Sequence, residues 1–502
     1  MEDDDRYFDT GHLAADLKGR SVRGAAITLA SQSSKFALRI AAIMVLARLL
    51  TPQDFGLIAM VAAVTGLIGM FRDPGLSMAT IQRAEINHRQ VSTLFWVNAA
   101  LGGTMMILLA AIAPGIAWFY GEPRLINVTF VIALGFMFGG LAVQHQALLR
   151  RQMRFGALAA VEVVSELVGV ATGILLALAG AGYWALALMI PTSEIATAAG
   201  VWMASGWIPG LPVRYSGVRR MLAFGGNLTG FNFLNYFARN LDKVLIGRVW
   251  GAGALGFYSR AYSLLLLPLM QINSPITSVV IPGLSSLNRN PQRFRSYYLK
   301  ALSLAIFATA PLCVFLFLFS DEIIRTFLGS QWMPASRVFR FLAISALIQP
   351  VFNSSGWLFI STGRTDRMLK WGAVGTALIV ASFIVGLPGG GEGVALSYSL
   401  AILLWTWPWM YIATRSTEIS LHDIVKTMAP SVISAVCAGA FVSVVKGLAG
   451  TQTSDLKILG LCAAVTCASY FLMLSYVFRL GGYYLSVLTE LQVSRQGQVP
   501  AR

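Results

Sequence analysis

The sequence predicts an all-α polytopic membrane protein. It should have about fourteen transmembrane helices, arranged as two six-helix bundles of the parallel-repeat type with an additional C-terminal helix pair. Three observations predict this. Hydrophobic residues make up 56% of the 502 positions and charged residues 12%, with a mean hydropathy of +0.68, which is too apolar for a soluble domain. Apolar runs long enough to cross a bilayer follow one another along the whole chain. A weak self-similarity recurs at an offset of 200 residues.

The spans fall at about 25–47, 55–80, 91–119, 125–149, 156–180, 182–203, 221–249, 255–282, 297–319, 336–361, 370–388, 391–413, 427–448 and 457–479. Only the turn Pro388-Gly389-Gly390-Gly391 separates spans 11 and 12, so their division is open. Residues 1–24 form an N-terminal segment, 25–210 and 211–420 the two bundles, 421–482 the appended pair and 483–502 a tail. Within 7–23, Tyr7, Phe8, Leu13 and Leu17 alternate with Lys18, Arg20 and Arg23, and two readings stand: an interfacial helix or a disordered tail. The first residues, Met1-Glu2-Asp3-Asp4-Asp5, are acidic and carry no mark of a cleavable signal peptide.

The net charge of +16 suggests nucleic acid until its distribution is read. The connections after spans 2, 4, 6, 8, 10 and 12 hold Arg72, Arg83 and Arg89; Arg150, Arg151 and Arg154; Arg214, Arg219 and Arg220; Arg289, Arg293, Arg295 and Lys300; Arg364, Arg367 and Lys370; and Arg415 and Lys426. The opposite connections hold few, such as Arg124 and Lys457. This positive-inside pattern predicts that both termini are cytoplasmic, and it explains the basicity without nucleic acid. Cys313, Cys437, Cys462 and Cys467 fall inside spans without metal-ligand spacing and read as small apolar packing residues, so no metal, cofactor or disulfide is expected.

The repeat aligns Ala47–Gly56 with Gly247–Gly256 without a gap, pairing Arg48 with Arg248 and Gly56 with Gly256. The same offset pairs Phe36 with Tyr236 and Arg39 with Arg239. Each half has six spans, so both halves have one orientation and an axis along the membrane normal relates them.

Polar residues inside spans need a reason. Span 1 holds Gln32, Lys35 and Arg39; span 7 holds Asn232, Asn235 and Arg239. The spacing is three then four in both, which places each trio on one helix face. A Lys or Arg at a helix centre costs roughly 2.5–3.5 kcal/mol on insertion scales. Lys243 lies four residues after Arg239, and Asp242, three after it, is the charge partner within the helix. Snorkelling accounts for Lys243 but poorly for Lys35, near mid-span. Four cations against one acid predict a water-filled cationic cavity. Glu162, Glu166 and Glu194 in spans 5 and 6 are partners for the cavity cations, proton or sodium sites for ion coupling, or, at least for Glu162, structural partners of the nearby Arg151 and Arg154. Gln144 and His145 are expected to face the headgroup region. No catalytic set is present, and the longest outer connection, about 320–335, is too short for a catalytic domain, so no enzyme is expected.

Leu46-Ala47-Arg48-Leu49-Leu50-Thr51-Pro52-Gln53-Asp54-Phe55-Gly56, then Phe71-Arg72-Asp73-Pro74-Gly75-Leu76 and Ile81-Gln82-Arg83, resemble the start of bacterial polysaccharide biosynthesis proteins. These are Wzx-type flippases of the multidrug/oligosaccharidyl-lipid/polysaccharide exporter superfamily. The resemblance is sharpest over residues 20–90. It implies a polyprenyl-diphosphate-linked oligosaccharide as substrate, translocated across the bacterial inner membrane by alternating access for exopolysaccharide, capsule or O-antigen. Partners would be the lipid bilayer, a polysaccharide polymerase and glycosyltransferases, and no cofactor. On this resemblance Lys35, Arg39, Arg239 and Lys243 are headgroup contacts and Gln32, Asn232 and Asn235 sugar hydrogen-bonders, while Thr51, Pro52, Gly56, Asp73 and Gly75 shape turns. Two branches of the superfamily are alternatives: peptidoglycan lipid-precursor flippases, and multidrug cation antiporters, whose cavities should be acidic.

Overall fold

The computed structural model describes residues 7–8, 17–73, 75–83, 86–213, 219–448, 456–482 and 484, with backbone alone at 17–18, 219–235, 237–239 and 448. The described residues form fifteen α-helices and no strand. They are α1 (Leu17–Leu49), α2 (Pro52–Gly69), α3 (Leu76–Gln82), α4 (His88–Tyr120), α5 (Leu125–Arg151), α6 (Phe155–Leu178), α7 (Trp184–Ser205), α8 (Arg219–Leu287), α9 (Pro291–Leu318), α10 (Ser320–Phe327), α11 (Pro334–Ser361), α12 (Thr365–Gly386), α13 (Gly390–Thr414), α14 (Leu421–Leu448) and α15 (Leu456–Tyr476).

Among the described residues twelve helical stretches are long and apolar enough to cross a membrane. Two of them, Asn240–Leu287 and Thr365–Thr414, run to 48 and 50 residues. At about 1.5 Å per residue each is more than twice the roughly 30 Å of hydrocarbon. Both are broken. Gly251, at φ 77° and ψ −176°, interrupts α8, and the 3-10 turn Leu387–Gly389 followed by Gly390 at φ 65° separates α12 from α13. Divided there, the crossings number fourteen, and spans 11 and 12 part at their Pro-Gly turn. Side chains such as Trp118, 84% exposed, and the exposed Met203, Val385 and Leu404 face outward from helices that are also apolar inside. The chain is a multi-pass membrane protein.

Three expectations are corrected. Span 2 does not run to residue 80: α2 ends at Gly69, and α3 starts at Leu76. Hydropathy hides a turn there. Gly75 takes φ 83°, and the Asp73 carboxylate accepts from the Ser77 amide at 3.1 Å and from the Ser77 hydroxyl, capping α3. At Tyr7-Phe8 the N-terminal segment is docked on the first unit and not a loose tail, while residues 9–16 of the expected interfacial helix lie outside the described residues. Phe8 is 6% exposed, packed with Leu76, Val91, Leu94, Phe95 and Trp207. The Tyr7 hydroxyl donates to the Gly206 carbonyl at 3.0 Å, and Gln152 Nε2 to the Tyr7 carbonyl at 3.0 Å. Of the cysteines, only Cys313 is buried; Cys437 and Cys467 are exposed on helix surfaces, where a thiol meets lipid as readily as core.

The start of α2 is fixed by its motif. The Thr51 amide donates to Asp54 Oδ2 at 2.9 Å and the Asp54 amide to Thr51 Oγ1 at 3.3 Å, a capping box with Pro52 at the first helical position.

Contacts divide the chain into two compact units, residues 1–256 and 257–502. In the first, α4 packs on α5, α5 on α7, α6 on α7 and α1 on α6. In the second, α9 packs on α11, α11 on α13, α12 on α13 and α9 on α14. The first three pairs correspond span for span, so the packing order recurs in both units. The core of the second unit is aromatic, with Trp357, Trp405, Trp409, Tyr470 and Tyr484 among its buried members. Tyr484 stacks on Phe307 at 4.2 Å, and α14 joins the appended pair to α9.

Inside the first unit the 200-residue offset appears as a contact. A Cβ on Gly56 would lie 1.7 Å from the Ala252 carbonyl oxygen, and one on Gly256 would lie 1.8 Å from the Pro52 carbonyl oxygen. Each contact becomes the other when 200 is exchanged between the partners. That reciprocity is what a two-fold relation between repeats requires. Neither position tolerates a side chain without moving backbone. Gly56→Ala and Gly256→Ala should each destabilise the protein by about 1–3 kcal/mol or more through overpacking. Gly253→Ala, whose Cβ meets nothing within 4 Å, should not. Thermal midpoints of the purified variants check this, and equal midpoints for Gly56→Ala and Gly253→Ala would contradict it.

Candidate functional site

The polar stripe of α1 meets α6. Lys35 Nζ donates to Glu162 Oε2 at 2.6 Å. Arg39 donates through Nε to Glu166 Oε1 at 2.9 Å and through Nη2 to Glu166 Oε2 at 3.3 Å. The cations are four residues apart, and so are the acids, so each pair stands one turn above the other between helices running in the same direction. The expected surplus of charge on α1 is therefore corrected, because each of its cations has its own carboxylate. Of the alternatives open for Glu162 and Glu166, the structure shows pairing with the α1 cations, across 127 residues of sequence. Glu162 does not take Arg151. That guanidinium is buried and donates to the carbonyls of Thr80 at 3.0 Å, Arg83 at 2.5 Å and Phe8 at 3.3 Å. The two rungs differ in access. The Lys35 side chain is 15% exposed and that of Arg39 54%, with Gln32 exposed beside it on the same face.

On α8, Lys243 Nζ donates to Asn240 Oδ1 at 2.9 Å. The Lys243 amide donates to Oδ1 of buried Asp242 at 2.8 Å. Arg239, Asn232 and Asn235 are helical in backbone, and their side chains lie outside the described residues. Tyr236 holds this part of α8 to α2. Its hydroxyl donates to the Ala62 carbonyl at 3.2 Å, and a Cβ on Gly66 would lie 1.9 Å from the Tyr236 hydroxyl oxygen.

A second ion pair runs through the bundle. Arg72 Nη1 donates to Glu194 Oε1 at 2.8 Å, crossing α5 where a Cβ on Gly139 would lie 2.5 Å from that nitrogen. Behind it the Arg72 carbonyl accepts from Asn98 Nδ2 at 3.3 Å, Asn98 Oδ1 from Gln144 Nε2 at 2.9 Å, and Gln144 Oε1 from the Thr80 hydroxyl at 2.7 Å. Thr80, Asn98 and Gln144 are fully buried. This corrects two expectations. Arg72 is not only a topogenic charge, because it turns back into the bundle. Gln144 and His145 do not face headgroups: His145 is buried against Trp202, with ring centroids 4.5 Å apart, and its Nδ1 pairs with the Ser205 hydroxyl at 2.8 Å. Asn98 and Thr80 went unnoticed in the sequence; a lone Asn amid the apolar residues of span 3 was the one available signal.

The polysaccharide biosynthesis protein family matches residues 45–337, more than half of the chain. Lipopolysaccharide biosynthesis protein WzxC of Escherichia coli strain K12 is 25% identical over 395 residues, covering 77% of this chain and 80% of that protein. Succinoglycan biosynthesis transport protein ExoT of Rhizobium meliloti strain 1021 is 25% identical over 371 residues, 70% of this chain and 74% of that protein. Teichuronic acid biosynthesis protein TuaB of Bacillus subtilis strain 168 is 27% identical over 312 residues, 60% and 62% of the two. Among solved structures, lipid II flippase MurJ in an inward closed conformation matches with a TM-score of 0.70 at 15% identity, over 91% of this chain and 99% of that one. An inward-facing multidrug resistance MATE family transporter of the MOP superfamily matches with a TM-score of 0.59 at 15% identity, over 77% and 96%. At these identities the likeness to the structures is one of fold.

Arg72→Gln and Gly139→Ala should both break the Arg72–Glu194 pair, one by removing the donor and the other by blocking its path. Each should destabilise by about 1–3 kcal/mol. Combined, they should be clearly less than additive because they act on one interaction. Thermal unfolding of the two single variants and the double variant measures this, and a simple sum would contradict it.

Proposed function

This chain belongs to the polysaccharide biosynthesis protein family, and from that membership we propose that it is a flippase for polyprenyl-diphosphate-linked oligosaccharide units in surface polysaccharide synthesis. It acts in a bacterial cytoplasmic membrane with both termini on the cytoplasmic side, a placement that the distribution of arginines supports. Relatives named for lipopolysaccharide, succinoglycan transport and teichuronic acid support the substrate class. The flippase and transporter folds it resembles support a transport role rather than an enzymatic one. Glycosyltransferases that build the lipid-linked unit and a polymerase that consumes it are the implied partners.

The observation that carries the mechanism is Arg39, a half-exposed guanidinium within a membrane span, held by a carboxylate rather than left bare. Glu162 and Glu166 act as internal counter-ions. They offset the roughly 2.5–3.5 kcal/mol that each cation costs in the bilayer when no substrate is bound. An arriving diphosphate offers the same paired-oxygen geometry with more charge, and the guanidinium fork suits it. The headgroup thus exchanges with the glutamates, while Arg239 and Lys243 furnish the facing wall and Gln32, Asn232 and Asn235 bind sugar hydroxyls. The glutamates freed by that exchange are the candidate ion-coupling groups. Only the headgroup has to cross. Alternating access turns on the reciprocal contact of α2 with α8.

The Arg39→Ala/Arg239→Ala double variant should abolish surface polysaccharide while protein level and membrane insertion stay near normal; normal polymer would overturn the site. Glu162→Gln with Glu166→Gln should change how transport depends on the proton gradient. An unchanged dependence would remove the two acids as coupling groups.

A further inference from the structure

Spans 8 and 10, both in the second unit, carry polar side chains that the headgroup site does not use. Neither span has a charged residue over 261–288 or 341–363. Yet Gln271 and Ser274 on the second segment of α8 and Asn353 on α11 are exposed, and Gln349 on α11 is half-buried. The side chains of these four make no hydrogen bond among the described residues. Carboxamides and hydroxyls turned toward hydrocarbon would stay unsatisfied, so exposed ones within a span mark a face that meets water or a ligand.

One hydrogen bond fixes how the two helices face each other. Trp357 Nε1 on α11 donates to Thr277 Oγ1 on α8 at 3.2 Å. Spans 8 and 10 are separated by a single crossing, so they run in the same direction. At about 100° per residue, Ser274 and Gln271 lie about 60° and 120° round α8 from Thr277. Asn353 and Gln349 lie about 40° and 80° round α11 from Trp357, in the opposite sense. On helices of one direction, opposite senses from a shared contact lead to the same side of the seam. At about 1.5 Å per residue the two pairs also stand at similar depth, roughly 4–9 Å and 6–12 Å from the Trp357–Thr277 bond toward the helix N-termini. All four side chains therefore border one groove. A Cβ on Gly356, on the same arc of α11 as Asn353, would meet nothing within 4 Å, so the groove is open beside that amide. Pro275, exposed one turn after Gln271, withholds the amide that would bond the Gln271 carbonyl and leaves a backbone acceptor on the same face.

We propose that this groove binds uncharged glycosyl residues of the transported unit through Gln271, Ser274, Gln349 and Asn353. The proposal rests on the flippase reading above and deepens it, because it gives the sugar part of the substrate a set of neutral residues in the second unit. The chemistry selects the occupant. A sugar hydroxyl both donates and accepts, as a carboxamide and a serine hydroxyl do. An acyl chain offers neither. A diphosphate calls for cations, which these stretches of the two helices lack. A monovalent cation would take the amide oxygens and leave the three amide nitrogens as donors without acceptors.

The test is equilibrium binding to the purified full-length protein in detergent. One probe is the lipid-linked oligosaccharide extracted from cells in which the gene for this protein is deleted, and the other is undecaprenyl diphosphate, which has no sugar. The double variant Gln271→Leu/Asn353→Leu replaces two exposed, unbonded amides with apolar side chains that suit a span and a helix, so the fold should be kept. It should weaken the lipid-linked oligosaccharide by about tenfold or more, the loss of two hydrogen bonds of ordinary net strength. Undecaprenyl diphosphate should bind it within about twofold of wild type, which a general disturbance of the fold would not allow. Unchanged oligosaccharide binding, or an equal loss for both probes, would overturn the proposal while wild-type binding leaves the flippase reading standing. Sodium-dependent binding of undecaprenyl diphosphate that the double variant loses would overturn it in favour of a cation site. Wild-type protein that binds neither probe would overturn the flippase reading and the groove with it.

Discussion

A cation inside a bilayer must be answered by an oxygen within the protein, and the described part of the first unit is organised by that requirement. Lys35 and Arg39 find Glu162 and Glu166, Arg72 finds Glu194, and Arg151 finds three carbonyls. Each match joins elements far apart in sequence: α1 to α6, the end of α2 to α7, and the N-terminal segment to α5. On a water-exposed surface such pairs contribute about 0–1 kcal/mol and specify little. In a medium without competing water, a mismatched register would strand charge on both sides, so the same pairs select one arrangement.

The second organising constraint is steric. Where α2 meets α8 the backbones approach until no Cβ fits at Gly56 or Gly256, and the two contacts exchange under the repeat offset. A symmetric contact of this kind involves few atoms and no long interlocked side chains, so it holds position without resisting small rotations as a knobs-into-holes seam does. In the rest of the unit Gly139 performs a different service: it clears a channel for a side chain rather than for backbone.

Fold class and span number were legible because hydropathy and turn residues are local properties. The break at Gly251 and the division at Leu387–Gly389 both fall where the glycines stand. The four-residue spacing of Lys35 with Arg39 was legible too, and so was that of Glu162 with Glu166. What the linear chain could not say is that α6 faces α1, since no residue on either helix names its neighbour. Span 2 is overextended because Met70 and Phe71 before the turn and Leu76, Met78 and Ala79 after it continue the apolar run across the point where Asp73 and Gly75 impose a turn. Arg72 reads as a topological charge in the sequence because an arginine next to a span has the same appearance whether it points to water or folds back past a glycine. Gln144 and His145 were misplaced for a related reason: polar residues near a span end suggest headgroups, whereas these two satisfy each other's surroundings through Asn98, Thr80 and Ser205.

Tyr7 and Phe8 are held by groups from along the whole first unit: the Gly206 carbonyl, Gln152, Arg151, Trp207 and the α4 face around Val91 and Phe95. Translation runs from the N-terminus, so these two residues emerge before the rest of the unit, and their seat is complete only about 200 residues later, when Gly206 and Trp207 have been made. The beginning of the chain is thus the last piece of its half to be placed. Its docking reports that the first six spans have assembled, and a carrier domain fused close to Tyr7 would interfere at that closing step rather than at insertion.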